Sequence, residues 1–227
     1  MFSIVVPVYN EAEILRQNAV KLVDCAKKVG EPFEVLICSN GSTDATDDIG
    51  RRLESEYGGV IRFFSIPEKG VGHAFVKMVS EARYDKIISI DADLTTDMAF
   101  IDECTTLLDE YDMVIGSKRM GEQYRSIARI ILSKGYYYLV KILFKMEYGD
   151  YSIGAKGYMK GMIEPYLGKI DYGSSYVIEV AYMIHQRGKI IEIPVFCSDT
   201  RRSKFNIFHE VAYRFNALIS FWFRRGR

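Results

Sequence analysis

Short apolar runs alternate with longer amphipathic stretches through the first half of this 227-residue chain. Residues 2–8, 33–38, 60–66, 86–91 and 112–116 are rich in Ile, Val, Leu and Phe and short enough to be buried strands. Between them, residues 11–29, 44–57, 71–83 and 97–110 repeat apolar side chains at a spacing of about 3.6, which predicts helices. Alternation of this kind builds right-handed βαβ units. The pattern therefore predicts an α/β fold, a doubly wound, mostly parallel sheet flanked by helices, with ligands at the strand tips. Ser42, Thr43 or Asp44 can cap the second helix, and Thr96 or Asp97 the fourth.

After Gly116 the pattern changes. Residues 125–146 form one long segment in which Arg125, Arg129, Lys134, Lys141 and Lys145 stand among isoleucines, leucines and consecutive tyrosines. A shorter stretch around 153–159 is expected to return as a strand, and a helix at 174–187 to lead into the strand 189–195. The tail carries Phe208, Val211, Phe215, Leu218, Ile219 and Trp222 at helical spacing and ends Arg224-Arg225-Gly226-Arg227. It predicts an amphipathic C-terminal helix. This helix and the 125–146 segment could lie in a membrane interface or pack on the sheet as core helices. Trp222 and the arginines tilt the reading toward the interface. No repeat or linker divides the chain, so residues 1–227 are expected to be a single domain.

Charge adds an asymmetry. Residues 1–113 hold 11 Lys+Arg and 21 Asp+Glu, a balance of −10, whereas residues 114–227 hold 19 and 9, a balance of +10. A basic half suits phosphates, nucleic acid or an anionic membrane surface. Cys25, Cys38, Cys104 and Cys197 are scattered without metal-ligand spacing, and three of them sit in apolar patterns that favour buried thiols. The first residues lack the charged start of a signal peptide, and no uncharged apolar run approaches the roughly 18 residues needed to span a bilayer. A cytoplasmic protein able to touch a membrane is expected.

The most informative segment is Lys86-Ile87-Ile88-Ser89-Ile90-Asp91-Ala92-Asp93-Leu94. A strand interior cannot bury two unpaired charges, so Asp91 and Asp93 belong at its carboxyl end. Alternate strand residues share a face, and two carboxylates there can converge on one hard divalent cation suited to bridging nucleotide phosphates. The first strand leaves through Pro7-Val8-Tyr9-Asn10-Glu11 and the second through Ser39-Asn40-Gly41-Ser42-Thr43-Asp44. All three tips can share one rim. Gly70-Val71-Gly72 lacks a third glycine, so a dinucleotide fingerprint is not supported, although Lys69 beside it could touch a donor diphosphate. His73, His185 and His209 are widely separated and read as structural.

On these residues the chain resembles glycosyltransferase family 2, the inverting sugar transferases of the GT-A fold. The matched elements are Ile4 to Glu11, Glu34 to Cys38 with Ser39 to Asp44, and Asp91-Ala92-Asp93-Leu94. Val114-Ile115-Gly116-Ser117-Lys118 is similar to a segment of the dolichyl-phosphate mannose synthase branch. So are Arg129 with Ser133, the Asp150-to-Gly154 turn, Glu192-Ile193-Pro194-Val195 and Arg202-Ser203-Lys204.

The resemblance implies a nucleotide-sugar-binding half at 1–116, an acceptor half at 117–204 and the tail helix at 205–227. It implies that Pro7, Tyr9, Glu11 and Asn40 bind the donor, and that Asp91 and Asp93, with Thr95 nearby, hold Mg2+ or Mn2+ and the donor diphosphate. Lys118, Arg129, Ser133, Arg202, Ser203 and Lys204 are implied to hold an acceptor phosphate, with Asp91, Asp93 and Arg129 carrying catalysis. The implied reaction moves a hexose from a GDP-mannose- or UDP-glucose-type donor to a polyprenyl or dolichyl phosphate. It would occur at the inner face of a membrane, without nucleic acid.

The chain departs from the family pattern at several positions. Ser39-Asn40 replaces two acids, Thr95 stands where the branch often has Gln, and Lys118 replaces Arg, losing its bidentate fork. Ile153 and Ala155 replace the Ser and aromatic that commonly flank Gly154. Two alternatives stay open at this point: a family 2 enzyme that glycosylates a sugar hydroxyl, which needs a general base, and a catalytically silent sugar-nucleotide-binding module.

Overall fold

The computed structural model describes residues 1–118, 127–151, 153–197 and 207–225, with side chains described except at 127–134 and 207–212. Strands β1 (Phe2–Val8), β2 (Phe33–Asn40), β3 (Ile61–Ile66), β4 (Lys86–Ser89) and β5 (Met113–Ser117) fall where the apolar runs predict. Helices α1 (Leu15–Lys28), α2 (Thr46–Glu56), α3 (Val71–Glu81) and α4 (Ala99–Leu107) fill the intervals. The second half adds α5 (Ile127–Phe144), β6 (Lys156–Met159), the short α6 (Lys160–Ile163), α7 (Tyr176–His185), β7 (Ile190–Pro194) and α8 (Ile207–Arg224).

The seven strands form one sheet in the order β3-β2-β1-β4-β6-β5-β7. The side chains of β1 alternate between its faces. Ile4, Val6 and Val8 join a core with Leu15, Leu22 and Val23 of α1, Leu53 of α2 and Phe100 of α4. Val5 faces the other core, with Phe75 and Met78 of α3 and Val177 and Ile184 of α7. Burial on both faces explains why the strands read as continuous apolar runs. The chain winds outward from β1 to β3, then crosses back to place β4 on the other side of β1. That reversal is the switch point at which an open α/β sheet binds ligands. β6 alone runs antiparallel, wedged between β4 and β5. Its N-terminal turn therefore lies at the same rim as the tip of β4.

The tail helix packs on protein along one face. Leu218 and Phe221 of α8 bury against Val140 and Phe144 of α5 and Ile178 of α7. α5 and α8 run parallel, with Tyr136 near Phe215 (6.1 Å) and Phe144 stacked on Phe221 (5.3 Å). Arg225 closes the pair, donating to the Leu143 carbonyl at 2.9 Å and lying 4.8 Å over the Trp222 ring. The opposite face leaves Ile219 and Phe223 exposed, as are Tyr138 and Ile142 of α5. Among the described residues no helix is long and apolar enough to cross a membrane.

Arg224 also reaches Glu179 of α7 at 3.1 Å, and Glu179 accepts the Asp171 N–H at 2.8 Å. Burial pushes the Glu179 carboxyl up to about 7, against the pull of these two donors. The folded protein thus holds a proton that the unfolded chain has released above about pH 4.5, so stability falls as pH rises through that window to about 7. Glu179→Gln, neutral throughout, is expected to lose this slope. Melting scans should show the variant gaining on the wild type between about pH 5 and about pH 8; parallel curves would contradict the assignment.

Candidate active site

The tips of β1 and β2 are stitched together by side chains of the second tip. Ser42 Oγ accepts the Asn10 N–H (3.0 Å), Thr46 Oγ1 accepts that of Glu11 (2.9 Å) and Asp44 accepts that of Ala12 (3.2 Å). Asn10 holds a left-handed φ of 53° and accepts the Thr43 N–H at 2.7 Å. Asn and Asp tolerate that conformation better than other non-glycine residues. Asp44 binds the first helical N–H of α2, at Thr46, and Asp97 does the same for Ala99 of α4.

These contacts leave Pro7, Tyr9 and Glu11 partly exposed on the rim. Lys69 donates to the Tyr9 hydroxyl at 3.0 Å and lies 4.3 Å over its ring, so a cation enters the same pocket wall. Asn40 is only 5% exposed, donating to the Val8 carbonyl (2.8 Å) and accepting the Gly70 N–H (3.2 Å). One N–H and one lone pair remain to it for a ligand.

β4 pairs with β1 in the register Val5↔Ser89, which carried upward sets Asp91 level with Pro7. The chain then turns sharply: Leu94 adopts φ 51° and donates its N–H to the Asp91 carbonyl. Left-handed leucine is costly and tends to persist where function requires the turn. Asp93 Oδ1 accepts from both the backbone and the hydroxyl of Thr95, at 3.2 and 3.1 Å. Asn18 of α1 holds the Ala92 carbonyl at 2.9 Å.

On the other side, the register Ser89↔Lys156 sets Gly154 opposite Asp91. The Gly154 N–H donates to the Asp91 carboxylate, and a Cβ at Gly154 would lie within 2.4 Å of both carboxylate oxygens. Glycine is required here by the approach of an acid.

Asp91 is exposed at the strand tip. The surrounding protein nonetheless thins its hydration, and this, followed by the like charge of Asp93, holds its carboxyl above the usual range. Lys118, Lys156 and the Gly154 N–H pull the other way. Lys156 is 0% exposed; its ammonium donates to the Ile153 carbonyl, and burial lowers it to about 8 against the fields of Asp150 and Asp91. Asp150 accepts the Ile153 N–H (3.2 Å), and Glu192 accepts the N–H groups of Gly149 (2.8 Å) and Asp150 (3.0 Å). Buried Tyr176, the first residue of α7, hydrogen-bonds Ser89, and its phenol is raised by burial and by Asp91.

The structure thus brings Pro7, Tyr9, Glu11, Asn40, Asp91, Asp93, Thr95 and Lys118 to one rim. The side chains of Arg129 and Ser133, and the whole of Arg202, Ser203 and Lys204, lie outside the described residues. The segment leading to the last three is nevertheless anchored. Cys197 bridges Thr96, and the Phe196 carbonyl accepts the Asp97 N–H at 3.0 Å.

Periodicity gave no hint of Lys156, Tyr176 or the acid-facing role of Gly154. Their signal is positional. It needs the antiparallel pairing of β6, which hydrophobicity does not encode.

Among the described residues no cluster of three or more His, Cys, Asp or Glu forms. Two carboxylates at one strand tip still make an oxygen donor set that a hard divalent cation fits, with its remaining ligands drawn from substrate and water.

The strand order, the switch-point rim and the paired acids define a GT-A glycosyltransferase fold. The solved structures agree: glucosyl-3-phosphoglycerate synthase from Mycobacterium tuberculosis, in complex with Mn2+, UDP and glucosyl-3-phosphoglycerate, superposes with a TM-score of 0.72 at 15% identity, covering 97% of this chain and 79% of that one. S. aureus TarS (residues 1–349) superposes with a TM-score of 0.60 at 16% identity, over 85% and 57% of the two chains.

The chain belongs to glycosyltransferase family 2, whose sequence model, "Glycosyl transferase family 2", matches residues 3–167. Its relatives include glycosyltransferase AglD of Haloferax volcanii, 29% identical over 71% of this chain and 27% of that protein. Undecaprenyl-phosphate 4-deoxy-4-formamido-L-arabinose transferase of Salmonella paratyphi B is 27% identical over 85% of this chain and 58% of that protein. The chain therefore spans between about a quarter and three fifths of the length of these curated relatives.

Proposed function

We propose that this glycosyltransferase moves a hexose, with inversion, from a nucleotide diphosphate sugar of the GDP-mannose or UDP-glucose type to a polyprenyl or dolichyl phosphate. The observation that carries the reading is the Thr96–Cys197 bridge. It pins the chain just beyond the paired acids to the chain just before Arg201-Arg202-Ser203-Lys204. Lys118 adds a cation whose field acts on Asp91 from the acceptor half. In this reading the acids hold the donor and the cations of the later half hold an anionic acceptor beside it.

In this reading Tyr9, Glu11 and Lys69 line the nucleoside and diphosphate pocket. Asp91 and Asp93 hold Mg2+ or Mn2+, with Thr95 fixing Asp93. Such a cation supplies charge neutralisation for the departing nucleotide diphosphate. Lys118, Arg129, Ser133, Arg202, Ser203 and Lys204 hold the acceptor phosphate for in-line attack on the anomeric carbon.

A phosphate is ionised near neutral pH and needs no general base, whereas a sugar hydroxyl does. Among the described residues, Asp150, Asp171, Glu179 and Glu192 of the acceptor half are each engaged by the protein, which favours the first case. Asp150 is buried beside Lys156, Asp171 accepts from Gly173 (2.9 Å) and Tyr213 (2.6 Å), and Glu179 and Glu192 hold Arg224 and the Gly149–Asp150 turn. The name of one curated relative, undecaprenyl-phosphate 4-deoxy-4-formamido-L-arabinose transferase, supports the reading further.

Membrane contact belongs to the same proposal. Tyr138, Ile142, Ile219 and Phe223 are exposed on the neighbouring helices α5 and α8, with Lys141, Lys145 and Arg224 beside them. Apolar side chains flanked by cations suit the inner face of an anionic bilayer.

A panel of UDP- and GDP-sugars offered with a polyprenyl phosphate and Mn2+, read by mass spectrometry, tests donor, acceptor and chemistry together. An acid-labile glycosyl phospholipid is expected; transfer only to sugar hydroxyls would overturn the acceptor assignment. Arg129→Ala is expected to raise the acceptor KM about tenfold or more while leaving the donor KM unchanged. Unchanged acceptor kinetics would remove Arg129 from the site.

A further inference from the structure

α3 follows Gly70, which offers it no side-chain cap. The N–H groups of Gly72 and His73 are instead taken by the carbonyl of Tyr172, at 2.8 and 3.3 Å. A helix N-terminus leaves such donors orphaned, and a carbonyl from another segment can satisfy them. The Tyr172 ring lies flat on His73, with centroids 4.1 Å apart. The approach depends on missing side chains. A Cβ at Gly70 would lie 2.4 Å from the Tyr172 carbonyl oxygen, and one at Gly72 would lie 2.4 Å from that of Asp171. Gly70 also has φ 148°, open mainly to glycine.

Both ends of this contact lead elsewhere. On one side, Gly70 is held by Asn40 (3.2 Å) and Lys69 by Tyr9 (3.0 Å), both in the donor pocket. On the other, Asp171 Oδ2 accepts the Tyr213 hydroxyl of α8 at 2.6 Å and the N–H groups of Gly173 (2.9 Å) and Ser175 (3.3 Å). The Asp171 N–H is tied to Glu179, which holds Arg224, also of α8. Hydrogen bonds linked by short stretches of backbone thus join the tail helix to the nucleotide pocket.

The geometry points to the segment Asp171–Ser175 as a latch through which the seat of α8 sets the donor pocket, with Tyr213 a positioning residue for nucleotide binding. The inference rests on the donor site proposed above. When α8 is docked, Asp171 is fixed, the Tyr172 carbonyl caps α3, and Lys69 and Gly70 are held in their places against Tyr9 and Asn40. By linkage, whatever holds α8 in its seat favours nucleotide binding, and bound nucleotide favours the docked helix.

Binding of UDP and of GDP, each with Mn2+, is measured by titration calorimetry on the full chain and on Tyr213→Phe, Gly72→Ala and the double variant. Tyr213→Phe removes one hydroxyl and is expected to weaken binding of the nucleotide that the wild type accepts by about fivefold, with the melting midpoint lowered by a few degrees at most. Gly72→Ala breaks the same path from the α3 side. The double variant is expected to bind no worse than the weaker single one, because a path already cut cannot be cut again. Unchanged affinity in Tyr213→Phe, losses that multiply in the double variant, or losses that track melting temperature would each overturn the latch. A wild type that binds neither nucleotide would remove the donor reading itself, and the latch with it.

Discussion

Asp91→Asn and Asp93→Asn are each expected to lower transfer by on the order of 10³-fold or more, with the melting temperature of Asp91→Asn equal to or above that of the wild type. Each change keeps side-chain size and removes a charge. At Asp91 the removed charge is one that the fold disfavours, since the surrounding protein and the neighbouring Asp93 both oppose its ionisation. Transfer rates together with thermal melts separate a binding role from a structural one. Near wild-type turnover in either variant would remove the mechanism, and a cooperative loss of fold in both would reassign the acids to structure.

Gly154→Ala is the second large effect. The added methyl would meet the Asp91 carboxylate at 2.1–2.4 Å, so the acid must move while its N–H donor shifts with the strand. Displacing a reacting constellation by about 1 Å costs about 10²-fold, and a loss of at least that size in kcat is expected here. Gly161→Ala is the matched control, because nothing lies within 4 Å of a Cβ there. Equal, small effects at the two glycines would show that the β6 turn does not position Asp91.

The first half of the fold was legible because each βα unit carries its own signal. The apolar runs gave β1 to β5 and the intervals gave α1 to α4, with Asp44 and Asp97 at helix starts as expected. The place of Asp91 and Asp93 at the tip of β4 was legible for a similar reason: two acids ending an apolar strand have few other places to go.

The second half resisted because its information is non-local. A strand near 153–159 was expected, but its antiparallel insertion between β4 and β5 depends on partners some 70 and 40 residues away. Lys156 looks like an ordinary strand lysine in the sequence. Only the fold shows it buried between Asp150 and Asp91. The amphipathic stripe of the tail was read correctly as a helix, yet the stripe alone could not assign its faces. Leu218 and Phe221 pack on α5 and α7, while Ile219 and Phe223 remain exposed. Asn40 shows the same limit at a single side chain: its amide suits a base edge, but half of its bonding is spent on Val8 and Gly70.

The central claim is that a cation held by Asp91 and Asp93 and a phosphate held by the basic acceptor half meet at one rim. Phosphorus NMR of farnesyl phosphate, added to the protein with Mn2+ and the nucleotide it binds, measures that meeting. The account predicts paramagnetic broadening of the monoester resonance well beyond that seen with Asp91→Asn, and its loss in Arg129→Ala. A monoester that binds the protein yet stays as sharp with wild type as with Asp91→Asn would contradict it.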